Sequence, residues 1–374
     1  MTINTGADPR IVMTLDAGGT TLEFSAIRGN QPVVRPVSLP SAADNLERSL
    51  GNIIAGFKAV QEQLPQRPVA ISFAFPGPAD YPAGIITNVG NLPAFQGGVP
   101  LGPLLQARFG IPVFINNDGD LFAYGEAIAG FLPYVNGLLE TAGSPKRYHN
   151  LLGLTLGTGL GGGIVRDGHL FVGDNSAAGE VWLLRNKLDP ALNAEEGASI
   201  RAVRRVYAER SGIPPGDAPQ PREIFEIGMK RAEGNHAAAI EAFRRLGEVA
   251  GDVMAQALTL VDGLVVIGGG ISGAHPLFLP AAVDAMNGMY EGRGAIPARR
   301  RLIPRAFNLE DKGERETFLR GASREVAVAG TSRTIHFDPL QRTGVGLSRL
   351  GTSEAVSIGA YAFALGQLAN PPHQ

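Results

Sequence analysis

Asp16, Gly18, Gly19, Thr20 and Thr21 bring one carboxylate, two glycines and two hydroxyls together at a break between two apolar segments, Ile11–Leu15 and Leu22–Ile27. The second segment is apolar at alternate positions, so the pattern is strand, tight turn, strand. Glycine at such a tip lets backbone come close to a ligand. Hydroxyls and free N–H groups suit phosphate oxygens, and the carboxylate suits magnesium, directly or through its waters. An ordinary hairpin turn would use the same residues for conformational reasons alone. The device recurs, however: Leu151–Leu156 leads into Gly157-Thr158-Gly159-Leu160-Gly161 and a returning strand to Arg166. We read an internal repeat of a phosphate-facing tip, one in each half of the chain. A Rossmann turn is disfavoured, because a strand and not a long helix follows the glycines. A third glycine group, Gly268-Gly269-Gly270, ends the buried strand Gly263–Ile267 and suits a nucleoside lying on bare backbone.

Acid–base chemistry has its candidates at another strand end. Gly110–Ile115 runs into Asn116-Asn117-Asp118-Gly119-Asp120, and a helix follows. A carboxylate there is either an N-cap or a general base, and Asp118 and Asp120 compete for both roles. Pro68–Phe75 is a further strand, stopped by the rigid turn Pro76-Gly77-Pro78. The loop after it carries Asn88 and Asn91, whose amides can read hydroxyls as donor and acceptor or can simply cap turns.

Elements must hold these residues in place. Helical spacing marks residues 41–64, 200–207, 241–262 and 354–368. Segment 131–148 reads as an irregular, partly polar connection, and 299–337 is uninformative. The basic face of 200–207 reads as a solvated helix surface. At 374 residues the chain predicts two domains. Its 44% apolar and 18% charged residues are those of a globular protein, and a net charge of −2 offers no general attraction to nucleic acid or anionic membrane. With no cysteine, disulfides and thiolate metal sites are excluded. Neither a signal peptide nor an apolar run of about 20 residues is present, so the expected location is the cytoplasm.

The order of these motifs resembles the ROK family of sugar kinases in the actin/hexokinase superfamily. The segments that carry the resemblance are Leu15–Thr20, Phe75–Pro78, Asn91–Pro93, Asn117-Asp118, Leu156–Gly163, Ala178–Glu180 and Ile267–Ile271. It implies an α/β, two-lobed actin-like (ribonuclease H-like) fold with a mixed sheet in each lobe and a cleft for MgATP and a hexose. One lobe would be 1–118, completed by a C-terminal helix at about 356–369, and the other 119–355. By that resemblance Asp118 is the general base. Gly77, Asn91, Asn117, Glu180 and Glu195 hold the sugar. Asp16, Gly18, Gly19, Thr20 and Thr21 face the phosphates and magnesium, joined by Thr158 and Gly159, and Gly268, Gly269 and Gly270 lie by the adenosine. With no lysine or arginine inside the tips, metal and N–H groups must carry the electrostatics.

Two departures stand out. Many members follow Gly-Glu with a histidine and then a cysteine cluster that together bind structural zinc. Here Leu183 is at the histidine position and there is no cysteine, so no zinc is expected and the usual glucose preference does not carry over. Trp182 and Arg185–Pro190 would support the loop by packing instead. Only about ten residues precede the first strand, leaving no room for the helix-turn-helix of repressor members. The expected protein is a homodimeric kinase of a hexose or amino-hexose. The alternative is a non-catalytic sugar-sensing protein without a DNA-binding domain.

Overall fold

A computed structural model describes residues 5–87, 89–90 and 92–369. The chain forms two compact units. One comprises the described parts of 1–130, 163–179 and 350–374, the other residues 131–162 and 180–349. The helix that begins at Asp118 therefore belongs with the first unit.

The first unit is built on strands β1 (Val12–Ala17), β2 (Thr21–Arg28), β3 (Gln31–Pro32), β4 (Val37–Pro40), β5 (Ala70–Ala74) and β6 (Val113–Asn116). β2 lies antiparallel to β1 in the register Val12 to Ile27 and Ala17 to Leu22. On its other side β1 pairs with β5, and β5 with β6, both in parallel. β5 is apolar and buried throughout apart from Ser72, itself fully buried, as a strand covered on both faces must be. Helices α1 (Leu46–Gln61), α2 (Leu101–Phe109) and α3 (Asp118–Ile128) complete this part. Phe57 of α1 meets Phe24 of β2 edge to face, with centroids 5.1 Å apart, and Phe73, Phe75 and Phe95 continue the aromatic core.

The second unit opens with α4 (Phe131–Thr141). This overturns the irregular connection read from the sequence. Phe131, Leu132, Val135 and Leu139 are all buried, at helical spacing, although Pro133 and Gly137, poor helix formers, stand among them. Strands β7 (Leu151–Leu156), β8 (Leu160–Arg166) and β9 (His169–Leu170) follow in the chain, β8 beyond Gly162 and the whole of β9 being grouped with the first unit. Next come helices α5 (Ile200–Ser211), α6 (Pro221–Gly228) and α7 (His236–Val261), strand β10 (Leu264–Gly268) and helix α8 (His275–Met286). Then β11 (Arg305–Asn308), α9 (Lys312–Arg320) and β12 (Arg342–Leu347) complete the sheet, whose order is β9-β8-β7-β10-β12-β11. β7, β10, β12 and β11 run parallel. Each sheet thus consists of a hairpin whose first strand carries parallel neighbours, which is the repeat anticipated from the two tips. The uninformative 299–337 region contains a hairpin, Arg324–Ala327 against Thr334–Phe337.

The chain ends its described course in the first unit as α10 (Thr352–Ala369), which packs along α3. Two glycines permit the approach. A Cβ on Gly125 would collide with the Ala355 carbonyl, and one on Gly359 with the carbonyl of Leu121. The buried Glu126 carboxylate accepts the Leu350 N–H at 3.1 Å, just ahead of α10. Since α3 carries Asp118 in its first turn, this crossing sets where that carboxylate stands. Gly359→Ala is expected to cost about 1–3 kcal/mol by overpacking, read as a lower melting temperature. Adding Gly125→Ala should cost less than the sum of the two, because the crossing is already opened.

Candidate active site

In each unit the residues singled out by chemistry lie at the C-terminal ends of parallel strands. Asp16 is the penultimate residue of β1, Gly77 follows β5, and Asp118 follows β6. In the second unit the Gly157–Gly159 tip follows β7 and the three glycines close β10. Parallel pairing puts these ends on one edge of each sheet, where α/β folds hold ligands.

At the first tip Gly18 N–H donates to the Thr21 carbonyl at 2.9 Å, closing the turn. Ser41 fastens it from the side: its hydroxyl donates to Gly19 O at 2.7 Å and its N–H to Thr20 O at 3.0 Å. A trans peptide opposes C=O and the next N–H, so with Gly19 O turned to Ser41 the Thr20 N–H points the other way. Residues 18–21 are exposed, and nothing stands within 4 Å of a Cβ placed on Gly19. A phosphate can therefore reach backbone here. Asp16, exposed beside the tip, can ligate magnesium. Among the described residues no three His, Asp or Glu gather as a metal cage. One exposed carboxylate beside open backbone fits a cation that arrives on phosphates and takes a single protein ligand, as magnesium does.

At the third strand end the N-cap is neither aspartate but a neighbour. Asn117 is the N-cap of α3, its Oδ1 accepting Gly119 N–H at 2.7 Å. Asp118 stands in the first turn, and its Oδ1 shares that N–H at 2.9 Å. Its residue surface is open to water on one side, yet protein atoms crowd the carboxylate. That desolvation, together with the negative charge of Asp16, raises its pKa above the ordinary aspartate value against the pull of the Gly119 and Asp118 N–H groups. Asp120 is buried. Gly77 sits in a turn pinned by Tyr81, whose hydroxyl donates to Phe75 O at 3.1 Å. Asn91, like Asn88, lies outside the described residues.

The second tip is tighter, with Gly157 N–H donating to Gly159 O at 3.0 Å and Thr158 exposed. Glu195 braces it. Its Oε2 accepts Leu160 N–H at 3.1 Å and passes 2.5 Å from where a Gly159 Cβ would be. Arg201, at the start of α5, ties the parts together. It donates to Thr158 O at 3.2 Å, to Glu195 at 2.9 Å and to Glu196 at 2.8 Å, while Arg205 pairs with Glu196 at 3.3 Å. These contacts hold the Glu196 pKa below its usual value and raise that of Arg201.

The reading of α5 as a solvated basic surface missed Arg201. One signal was present: a cation in the first turn of a helix opposes the dipole and asks for another reason to be there. Two glutamates and two arginines cancel, so this cluster stiffens the tip without making it positive. The three-glycine turn adjoins the tip. Ile271 N–H donates to Leu156 O at 3.0 Å, and Gly269, at φ 87°, leaves no room for a Cβ beside that carbonyl. Ser272 holds Gly269 O through N–H and hydroxyl, and Gly270 is exposed with nothing within 4 Å of a Cβ position. That bare surface fits an adenosine. Glu180 is half-buried, and Trp182 Nε1 donates to its Oε2.

Two sheets of one topology, each with a glycine–threonine tip, define the actin-like fold. The chain belongs to the ROK family, whose model matches residues 12–293, and within it to the sugar kinases. It is 53% identical to a glucokinase of Parabacteroides distasonis of known crystal structure, with a TM-score of 0.88 over 97% of this chain and 99% of that one. An N-acetyl-D-glucosamine kinase of Vibrio parahaemolyticus is 30% identical over 69% of this chain and 83% of its own length. The fold also matches a ROK family glucokinase of Streptomyces griseus in complex with glucose and AMPPNP, at 19% identity and a TM-score of 0.60 over 94% and 98% of the two chains. Lacking cysteine, this chain has no cysteine zinc motif. Among the described residues no helix is long and apolar enough to cross a membrane.

The Asp118 shift makes a stability prediction. A carboxyl whose folded pKa is raised favours folding fully below its unfolded pKa of about 3.9, and that contribution is lost as pH rises through the folded value. Asp118→Asn keeps the acceptor for Gly119 and removes the charge. It should melt higher than wild type at pH 7, with the gap closing toward pH 4. A wild type that melts higher at pH 7 would contradict the crowding argument.

Proposed function

We propose that the protein transfers the terminal phosphoryl group of ATP to a hydroxyl of a hexose or amino-hexose, glucose and N-acetylglucosamine being the first candidates. The names of its relatives support that substrate class, and the observation that carries the reaction is Asp118. Asn117 is the N-cap and shares the Gly119 N–H with Asp118, and crowding makes Asp118 more basic than an ordinary aspartate. Such a group suits the general base. It takes the proton of the sugar hydroxyl as that oxygen bonds to phosphorus and the bond to the ADP oxygen breaks. Magnesium bound to the nucleotide would neutralise phosphate charge, with Asp16 its protein ligand. Gly18, Gly19, Thr20 and Thr21, with Thr158 and Gly159, would hold phosphates, and Gly268, Gly269 and Gly270 the adenosine. Gly77, Asn91, Asn117, Glu180 and Glu195 would hold the sugar, Glu195 exchanging its Leu160 N–H partner for a hydroxyl. The chemistry needs positioning and charge balance more than covalent help. We expect a cytoplasmic homodimer, without partners in nucleic acid or membrane.

Measuring ATP consumption over a sugar panel tests this. Asp118→Ala should lower kcat by about 10²–10⁴-fold while sugar binding persists. Turnover by wild type on no sugar would favour a sensor protein. The acid limb of kcat/KM should fall above the ordinary aspartate range, because only the ionised base is active and its pKa is raised. Magnesium removal should stop turnover.

A further inference from the structure

We propose that Trp182 is the positioning residue of the sugar-binding carboxylate, fixing Glu180 so that one oxygen is held by the protein and the other is left for a sugar hydroxyl. The inference rests on the assignment of Glu180 to the sugar under the proposed function. It goes beyond that assignment by replacing the packing role read for Trp182 with a polar one.

The turn Val181–Leu183 sets the geometry. Leu183 N–H donates to Glu180 O at 3.2 Å and Leu184 N–H to Val181 O at 3.1 Å, while Val181 is buried and anchors the turn. The tight winding carries the indole of Trp182 back over Glu180, where Nε1 donates to Oε2. Leu183 has no polar side-chain atom and is 60% exposed, so the hydrogen bond comes from the residue before it. The loop is closed behind this pair. Ala194 N–H donates to Leu184 O at 2.7 Å and Asn186 N–H to Leu192 O at 3.0 Å, joining the Glu180 turn to the turn that carries Glu195. Buried Asn186 accepts the N–H groups of Leu188 and Asp189, at 2.9 and 3.3 Å. Backbone pairing and one asparagine hold the loop.

Indole suits the task. It is a donor only, so it can bind a carboxylate oxygen and cannot compete for sugar donors. It does not titrate, so the contact persists wherever Glu180 is ionised. A free glutamate would surrender rotamer freedom on binding sugar; one already held gives up less. The effect should therefore fall on sugar affinity and spare the chemical step.

Trp182 is the single tryptophan of the chain, so its emission reports on this site alone. Titrating wild type with glucose or N-acetylglucosamine, in the absence of ATP, should shift that emission saturably. An emission unmoved by a sugar that the enzyme turns over would overturn the proposal. Trp182→Phe should raise the sugar KM about tenfold, roughly one hydrogen bond's worth, with kcat and the ATP KM within about twofold of wild type. Combined with Glu180→Gln, which itself should raise the sugar KM, it should add little. An unchanged sugar KM in Trp182→Phe, or full additivity with Glu180→Gln, would overturn the inference and leave the kinase reading intact. If Glu180→Gln alone leaves the sugar KM unchanged, the assignment of Glu180 fails first. Should Trp182→Phe fold poorly, the wild-type titration decides.

Discussion

Parallel pairing is the constraint on which the rest depends. Once β5 and β6 run alongside β1, the residues that follow each strand have to emerge at one edge of the sheet, and Asp16, Gly77 and Asp118 are those residues. The second sheet repeats the arrangement with β7 and β10, whose ends carry the Gly-Thr-Gly tip and the three glycines. No long-range attraction between site residues is needed to collect them. Burial of apolar strands such as β5, together with strand direction, does so.

At each edge the charged groups are arranged by neighbours that take over structural duties. Asn117 caps α3, and Asp118, which shares the Gly119 N–H, is held where protein crowding keeps its pKa up. Ser41 takes the carbonyls of the first tip and turns a peptide N–H outward. At the second tip Arg201 and Glu195 brace backbone, and their charges cancel with those of Arg205 and Glu196. Neither tip gains a net cation from these side chains.

The loop from Glu180 to Glu196 is held together by its own hydrogen bonds. Where many ROK members resemble one another in a histidine and a cysteine cluster, this chain has leucine and none. Backbone pairs between Leu184 and Ala194 and between Asn186 and Leu192 close the loop, and an indole holds the glutamate. Hydrogen bonds of this kind are individually modest, but they act inside a loop already pinned by buried Val181, Asn186 and Ala194.

Much of this was legible in the linear order of residues. Glycine and threonine after apolar alternation announced both hairpin tips, since short-range backbone conformation dictates those residue types, and the glycine run after β10 announced its turn for the same reason. Helix α4 was not legible because Pro133 and Gly137, poor helix formers, stand among its four buried residues, and only packing reveals a stripe that short. The sequence left Asp118 and Asp120 in competition, and it could not show that Asn117 would cap the helix, that Arg201 would return to Thr158 from 43 positions away, or that Gly125 and Gly359 would meet neighbouring helices. What residue order determined was local: which segments turn, which are buried and which atoms are available for chemistry. The folded structure alone decided which side chains brace each tip and which helices cross at their glycines, because that depends on neighbours distant along the chain, and their approach is governed by packing.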